Sequence, residues 1–358
     1  MKKNPGPQKG NKADKAKGSV KDSKKTDNPK ATTQLKSTVT GKGAVKQTED
    51  KTCFKSKENP KVTEIKNADY QCIKTIKGHG DSIECLIIID DTRIASGGYD
   101  CLVKLWDLQD MKKLEKPIKV YKGHEDAVFS ILKFTAFKLI SCSRDKTIRI
   151  WNIEDGRQLA CITGKEPYYV VKQISDAQVA AAGGDNEIRV FNLWNEEETK
   201  EEFVLTGHTN VINDIEVFQD NILCSGGECM LILIWDLAKR KHIGTLEGHK
   251  AAISSLLRLK EGLLASGSYD QTIRIWDIKK KSCCQILEGG TDKIMSVGQL
   301  PNGCIVSGGS EWNLVIWGKN NKIENELEGH EGSVNTILVL PYGMIVTGSA
   351  DNNLKFWK

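Results

Sequence analysis

Tryptophan recurs along this chain at near-constant intervals, and that recurrence limits the fold more than any other feature. Trp106, Trp151, Phe191 in place of a third Trp, Trp235, Trp276, Trp317 and Trp357 are spaced 45, 40, 44, 41, 41 and 40 residues apart. Gly-His pairs precede five of them: His79, His124, His208, His249 and His330 each lie 27 residues before their Trp, and Gly164 and Gly290 stand at that distance in the other two units. All length variation falls outside this fixed segment. Constancy of that kind belongs to paired strands, because a slip of one residue turns every inward side chain outward. Thr272, Ile273, Arg274, Ile275 and Trp276 show the period-two alternation of a strand, and Gly, Asp and Asn turns separate many such runs. A period in the forties repeated seven times specifies a repeat architecture.

These units resemble the WD-repeat family. The Trp-Asp dipeptide stands at Trp106-Asp107, Trp235-Asp236 and Trp276-Asp277, and weakens to Trp151-Asn152, Trp317-Gly318 and Trp357-Lys358. The resemblance covers about 290 of the 358 residues and implies an all-β, seven-bladed β-propeller over 68–358, one four-stranded blade per unit. Only three strands fit between His330 and Lys358. The segment 70–76 is therefore expected to complete the last blade, closing the ring and removing two open edges.

Residues 1–67 differ in kind. They hold 18 Lys, no Arg and seven acidic residues, net +11, so the formal +5 of the whole chain hides a body of net −6. With almost no aliphatic clusters they cannot bury enough apolar surface to offset the entropy of ordering, and they are expected to form a disordered basic tail. No apolar run approaches the roughly 20 residues that cross a bilayer, and no apolar stretch follows the first charges, so neither membrane spanning nor secretion is expected. Eleven cysteines without a Cys-x-x-Cys pair, and no Asn-x-Ser/Thr site, suit reduced thiols in cytosol or nucleus. No zinc-spaced partner accompanies any of them, and neither a metal nor a cofactor is expected.

Four units carry a further set of polar residues at fixed offsets: His79, Ser96, Asp100, Trp106; His124, Ser141, Asp145, Trp151; His249, Ser266, Asp270, Trp276; and His330, Thr347, Asp351, Trp357. Singly, Ser, His and Asp suggest a hydrolase triad. Repetition argues otherwise, because an enzyme needs one activated nucleophile and not four equivalent ones. An indole N–H only donates, a hydroxyl accepts and donates onward, an imidazole relays, and a carboxylate accepts last, so the set reads as a structural relay. The resemblance implies the same role. Three units depart from it: the third keeps only Asp185, with Gly164, Ala181 and Phe191; the fourth has Cys229 for Asp; the sixth has Gly290 for His and Glu311 for Asp. Those blades are expected to be softer.

The expected function is a non-catalytic scaffold or adaptor in a multiprotein complex, a monomeric propeller holding a peptide or protein on the face of the Gly-His turns. Positions five after the His mark give Phe129, Tyr169 and Met295, and those just before the turn Asp give Tyr99, Arg144 and Tyr269. Aromatic, Met and Arg side chains are enriched at interface centres; the alternative is that Phe129 or Tyr169 only plugs the channel mouth. Two other readings stand beside this one. The Lys-rich tail can contact nucleic acid or ribosome phosphates non-specifically, although it lacks Arg and nearly all aromatics. Hairpins such as Ser266, Gly267, Ser268, Tyr269 and Asp270 resemble those of ubiquitin-ligase substrate receptors with an F-box, but no helical segment precedes the propeller and no Trp-Asp-x-Arg occurs. A G-protein β subunit would need an N-terminal heptad helix. Finally, Trp194 with Glu196, Glu197, Glu198, Glu201 and Glu202 forms an acidic loop suited to a basic partner, the tail included.

Overall fold

A computed structural model describes residues 70–194, 199–219, 221–290 and 292–358. The tail 1–67 and Glu196, Glu197 and Glu198 lie outside the described residues. Among the described residues there are seven four-stranded antiparallel sheets and no helix. Six sheets use four consecutive strands, so chain order is spatial order; they span 83–121, 128–163, 168–206, 212–246, 253–287 and 294–327. The seventh combines Val334–Val339, Ile345–Ser349 and Asn353–Trp357 with Cys72–Lys77. The first strand of each sheet packs against the first strand of the next, and Val334–Val339 packs back on Ile83–Ile88. The seven sheets therefore form a closed ring of blades, and the all-β propeller expected from the repeat is the fold adopted.

Both faces of each blade are apolar, so neither can be left in water. Seven buried clusters satisfy this, each at one junction between neighbouring blades. Between the first and second blades, Ala95, Val103, Leu105 and Tyr121 meet Val128, Ile131, Leu139 and Trp151. Between the seventh and first, Ile76, Val346, Leu354 and Phe356 meet Ile83, Ile94 and Trp106. The six repeat Trp side chains are all at most 2% exposed. At roughly 25 cal/mol per Å² of apolar area removed from water, such side chains contribute on the order of 2–3 kcal/mol each, an upper estimate.

Each first strand carries a bulge at its start, shown by the register shift between Ile83 and Cys85 and its six counterparts. The bulge drives a carbonyl toward the neighbouring strand. A Cβ at Gly98 would sit 2.3 Å from the Ser82 carbonyl oxygen. Where the residue there is serine, its hydroxyl donates to the carbonyl one residue before the approaching one: Ser143 to Asp126 at 2.9 Å and Ser349 to Gly332 at 3.0 Å.

Cys72–Lys77 pairs with Asn353–Trp357, and Gln71 and Lys358 exchange backbone hydrogen bonds of 3.0 Å. Tyr70 adds a buried phenol whose O–H donates to the Gly343 carbonyl at 2.8 Å. A chain starting at residue 61 is expected to melt within about 2 °C of the full chain, whereas one starting at residue 79 should lose its cooperative transition, having exposed a bare strand edge and the core beneath it. Thermal unfolding followed by circular dichroism distinguishes the two; equal melting would remove the closing role of this strand.

Candidate functional site

The Gly-His turns and the hairpins between second and third strands emerge on one face, because side chains of each reach the other. In the first blade the Trp106 indole donates to Ser96 Oγ at 2.8 Å, Ser96 Oγ lies 2.6 Å from His79 Nε2, and His79 Nδ1 lies 2.7 Å from Asp100 Oδ1. Asp100 Oδ2 also accepts from the Gly80 N–H at 2.9 Å, which ties the hairpin to the turn. The second, fifth and seventh blades repeat the chain through Ser141, Ser266 and Thr347, with the three distances between 2.7 and 3.0 Å. All four hydroxyl residues are fully buried. A nucleophile needs an approaching substrate, and these oxygens are spent on an indole and an imidazole inside the blade.

The departures are filled differently from one another. In the third blade the Tyr168 ring occupies the space over Gly164, where a Cβ would meet it at 2.6 Å, and packs edge-on against Phe191 with centroids 6.5 Å apart. Arg189 then takes the carboxylate, bonding Asp185 twice, at 2.6 and 2.9 Å, and Glu201 at 2.9 Å. Aromatic packing and a charge cluster stand in place of the relay. Glu201 and Glu202 of the acidic loop are consumed in this blade, Glu202 accepting from Asn192 Nδ2 at 2.7 Å. In the sixth blade Trp317 still donates to Ser307 at 2.7 Å. A void of about 20 Å³, lined by Gly290, Ser307 and Glu311, lies beside it, room for a single water.

The fourth blade keeps Trp235, Ser225 and His208 but turns His208 Nδ1 toward Cys229 Sγ at 3.0 Å. Burial, with the nearby His242, pushes the His208 imidazole down from 6.5 to about 4. Where a carboxylate faces the ring, it opposes that effect of burial, as Asp270 does for His249. Asp270 is itself raised by burial, but bonds from Thr272, the Lys250 N–H and His249 hold it at about 2.

At the centre of this face, the residues five places after each mark converge. Glu84, Phe129, Tyr169, Asn213, Ser254, Met295 and Asn335, one per blade, line a cavity of about 260 Å³ together with Tyr269, Val211 and Glu228. Four of the six residues singled out in the sequence thus share one cavity. Tyr99 and Arg144 stand at its edge: the Tyr99, Phe129 and Tyr169 rings pack edge-to-face with centroids 5.7 and 5.0 Å apart, and the Arg144 guanidinium lies 5.2 Å over Tyr99. Arg144 is not a free cation, since Asp126 accepts from both its Nε and an Nη at 2.8 Å. Tyr269 is capped by Lys293 Nζ at 5.2 Å.

Sequence reasoning missed the polar members of the ring. The same offset rule points to them, but small polar residues carry no interface signature by themselves. Three stitch neighbouring blades: Asn213 Nδ2 donates to the Ile253 carbonyl at 2.8 Å, Ser254 Oγ to the Ile294 carbonyl at 2.6 Å, and Asn335 Nδ2 to Glu84 Oε1 at 2.9 Å. Below them Lys172 bonds Glu216 at 3.1 Å, while burial pushes Asp214 up to about 6 despite Lys172 nearby. Also missed were Met230 and Trp312, which take a left-handed φ of 64° and 72° at the hairpin tips and stand 41% and 50% exposed. No group of three or more His, Cys, Asp or Glu among the described residues is placed to hold a metal ion.

Four segments, 70–107, 115–152, 240–277 and 321–358, match the WD40 family model, described as WD domain, G-beta repeat. The fold superposes on the crystal structure of the WD40 beta propeller domain of Doa1 with a TM-score of 0.71 and 24% identity, over 81% of this chain and 97% of that one; the likeness is one of fold. A search among curated proteins finds no match.

His208 provides a test of the relay. Its imidazole is neutral when folded down to about pH 4, while the unfolded chain takes up the proton near pH 6.5. The unfolded state thus binds more protons between these values, so stability is complete above 6.5 and is lost as pH falls toward 4, by about 3 kcal/mol at most. Cys229→Asp should return a carboxylate to Nδ1, raise the imidazole pKa and shrink the difference in urea midpoint between about pH 7.5 and about pH 5. An unchanged difference would show that blade four does not govern this acid sensitivity.

Proposed function

Because the chain carries WD40 repeats closed into a seven-bladed propeller, a fold that generally serves protein interaction without catalysis, we infer that it is an adaptor within a multiprotein complex, taking a peptide or protein loop on the face of the Gly-His turns. The observation that carries this reading is the convergence of one side chain from each of seven blades on a single cavity fringed by three edge-packed aromatic rings. Rings held in this way give a large contact area with little entropy left to lose on binding. Among the described residues Glu84 and Glu228 line the cavity and no Lys or Arg does, Lys293 standing over Tyr269 and Arg144 at the edge. Burial raises the Glu84 carboxyl, which favours its protonated form, and a basic side chain entering beside it would oppose that effect and gain a partner. The expected ligand is a short segment with a Lys or Arg at its centre, not a phosphorylated one. All ten described cysteines are unpaired, which supports a reducing compartment, cytosol or nucleus.

Selection of binders from a displayed random-peptide library, followed by titration calorimetry, tests the reading. Selected peptides should share a basic residue. Tyr169→Ala should weaken them about tenfold while shifting the melting temperature by only a few degrees. Glu84→Gln keeps the acceptor for Asn335 but removes the charge, so it should abolish the preference for Lys or Arg. Equal binding by both variants would move the site off this face.

A further inference from the structure

The fourth blade keeps its whole relay except the last acceptor, and the residue found there belongs to a reactive type. In the four complete blades the turn aspartate collects three N–H donors: the His ring, the backbone of the residue after that His, and the backbone two residues past the aspartate. Asp145 takes them from His124, Glu125 and Thr147 at 2.8, 3.1 and 2.8 Å. Asp351 takes them from His330, Glu331 and Asn353 at 2.7, 3.0 and 2.9 Å. Asp100 and Asp270 do the same. In the fourth blade the corresponding donors belong to His208, Thr209 and Leu231, and Cys229 stands in the aspartate's place.

The direction of this relay can be read from its donors. The Trp235 indole donates to Ser225 Oγ at 2.7 Å, so the Ser225 proton goes to His208 Nε2 at 2.6 Å, and Nδ1 keeps its own hydrogen, aimed at Cys229 Sγ at 3.0 Å. His208 is only 8% exposed, so this N–H has no easy recourse to water. The Cys229 thiol points in turn at the Leu231 carbonyl at 3.8 Å, and among the described residues no side chain accepts from the Thr209 or Leu231 N–H. Three donors arranged for an anion thus surround a thiol. Sγ is attached to Cβ as a carboxyl carbon is, so two oxygens added to it take the directions of Oδ1 and Oδ2 in the complete blades. Cys229 is partly exposed, between the exposed Glu228 and Met230, so a small reagent reaches it.

We propose that Cys229 is an oxidation site, converted by hydrogen peroxide to a sulfinate that completes the fourth relay. In each of two steps the sulfur attacks one peroxide oxygen: an S–O bond forms, the O–O bond breaks, and the second oxygen leaves as hydroxide. The hydroxide takes up the proton that the sulfur group gives up and becomes water, so sulfur is oxidised and peroxide is reduced. The thiol passes through a sulfenic acid to a sulfinic acid, which loses its proton to solvent. The resulting anion is favoured because the N–H donors already point at it. Cys72, Cys161 and Cys284 are more exposed but have no imidazole against the sulfur. The added charge lies beside Glu228, which lines the channel-mouth cavity, but the oxidation does not depend on what that cavity binds.

The test treats the reduced full chain with a slight excess of hydrogen peroxide and compares its cysteines by peptide mass spectrometry. Sulfinate at Cys229 should exceed that at Cys72, Cys161 or Cys284 by about tenfold, the factor that one charge-assisted hydrogen bond supplies. Oxidation should also raise the melting temperature by about 2 °C, toward that of Cys229→Asp, and leave Cys229→Asp itself unmoved. His208→Gly, which puts at this mark the residue that the third and sixth blades carry there, should bring Cys229 down to the level of the exposed cysteines. Should that variant not fold, the ratio within the parent and the comparison with Cys229→Asp decide alone. Oxygen on Met230 or the exposed cysteines with Cys229 spared overturns the proposal. So does a sulfenic acid at Cys229 that goes no further, undiminished oxidation in His208→Gly, or an equal rise in the melting of Cys229→Asp.

Discussion

A strand sheet with two apolar faces cannot exist alone in water, and every other feature of this molecule answers that constraint. Each blade covers its neighbour, so each buried cluster belongs to two repeats at once. A linear stack would leave one face bare at either end; a ring leaves none. Cys72–Lys77 is where the ring is sealed, and the cluster that joins the seventh blade to the first includes Ile76 from this strand. The bulges at the start of the seven first strands have a related origin, since the innermost strands must bend to share a narrow axis.

Burying a tryptophan between blades leaves one indole donor to satisfy, and the relay of hydroxyl, imidazole and carboxylate leads that need outward to the surface turns. The exceptions show what the relay is for. Where Phe191 replaces Trp there is no donor, and Ala181, Gly164 and Tyr168 complete an apolar solution. Where Trp235 remains, Ser225 and His208 remain, and only the last acceptor changes. The part nearest the indole is thus the most tightly specified, because an unmet donor in the core costs about 1–3 kcal/mol while a weaker partner near solvent is replaced by water.

Much of the fold was legible because its signals are periodic: a fixed 27-residue interval survives the loss of Trp from one unit and of His from two. The relay residues were legible for the same reason, as were the aromatics near the channel mouth. Legibility stopped where meaning depends on sets of residues from different blades. Asn213, Ser254 and Asn335 look like ordinary strand polar residues until seven blades bring them round one axis. Arg144 shows what type and position leave out: Asp126 lies within reach across the turn and takes its fork.

The pairing of Gln71 with Lys358 has a consequence for the order of events during synthesis. Lys355 Nζ bonds Thr75 Oγ1 across 280 residues of sequence, so the strand that seals the ring emerges from the ribosome first and waits for its partner until nearly all the rest has been made. During that interval the first blade presents an uncovered apolar face and Cys72–Lys77 has no sheet to join. Contacts of such long range also slow folding itself. The nascent chain therefore has a built-in period of exposure, at typical elongation rates of about 5–20 residues per second lasting tens of seconds, in which a chaperone binding that first face would protect it from aggregation.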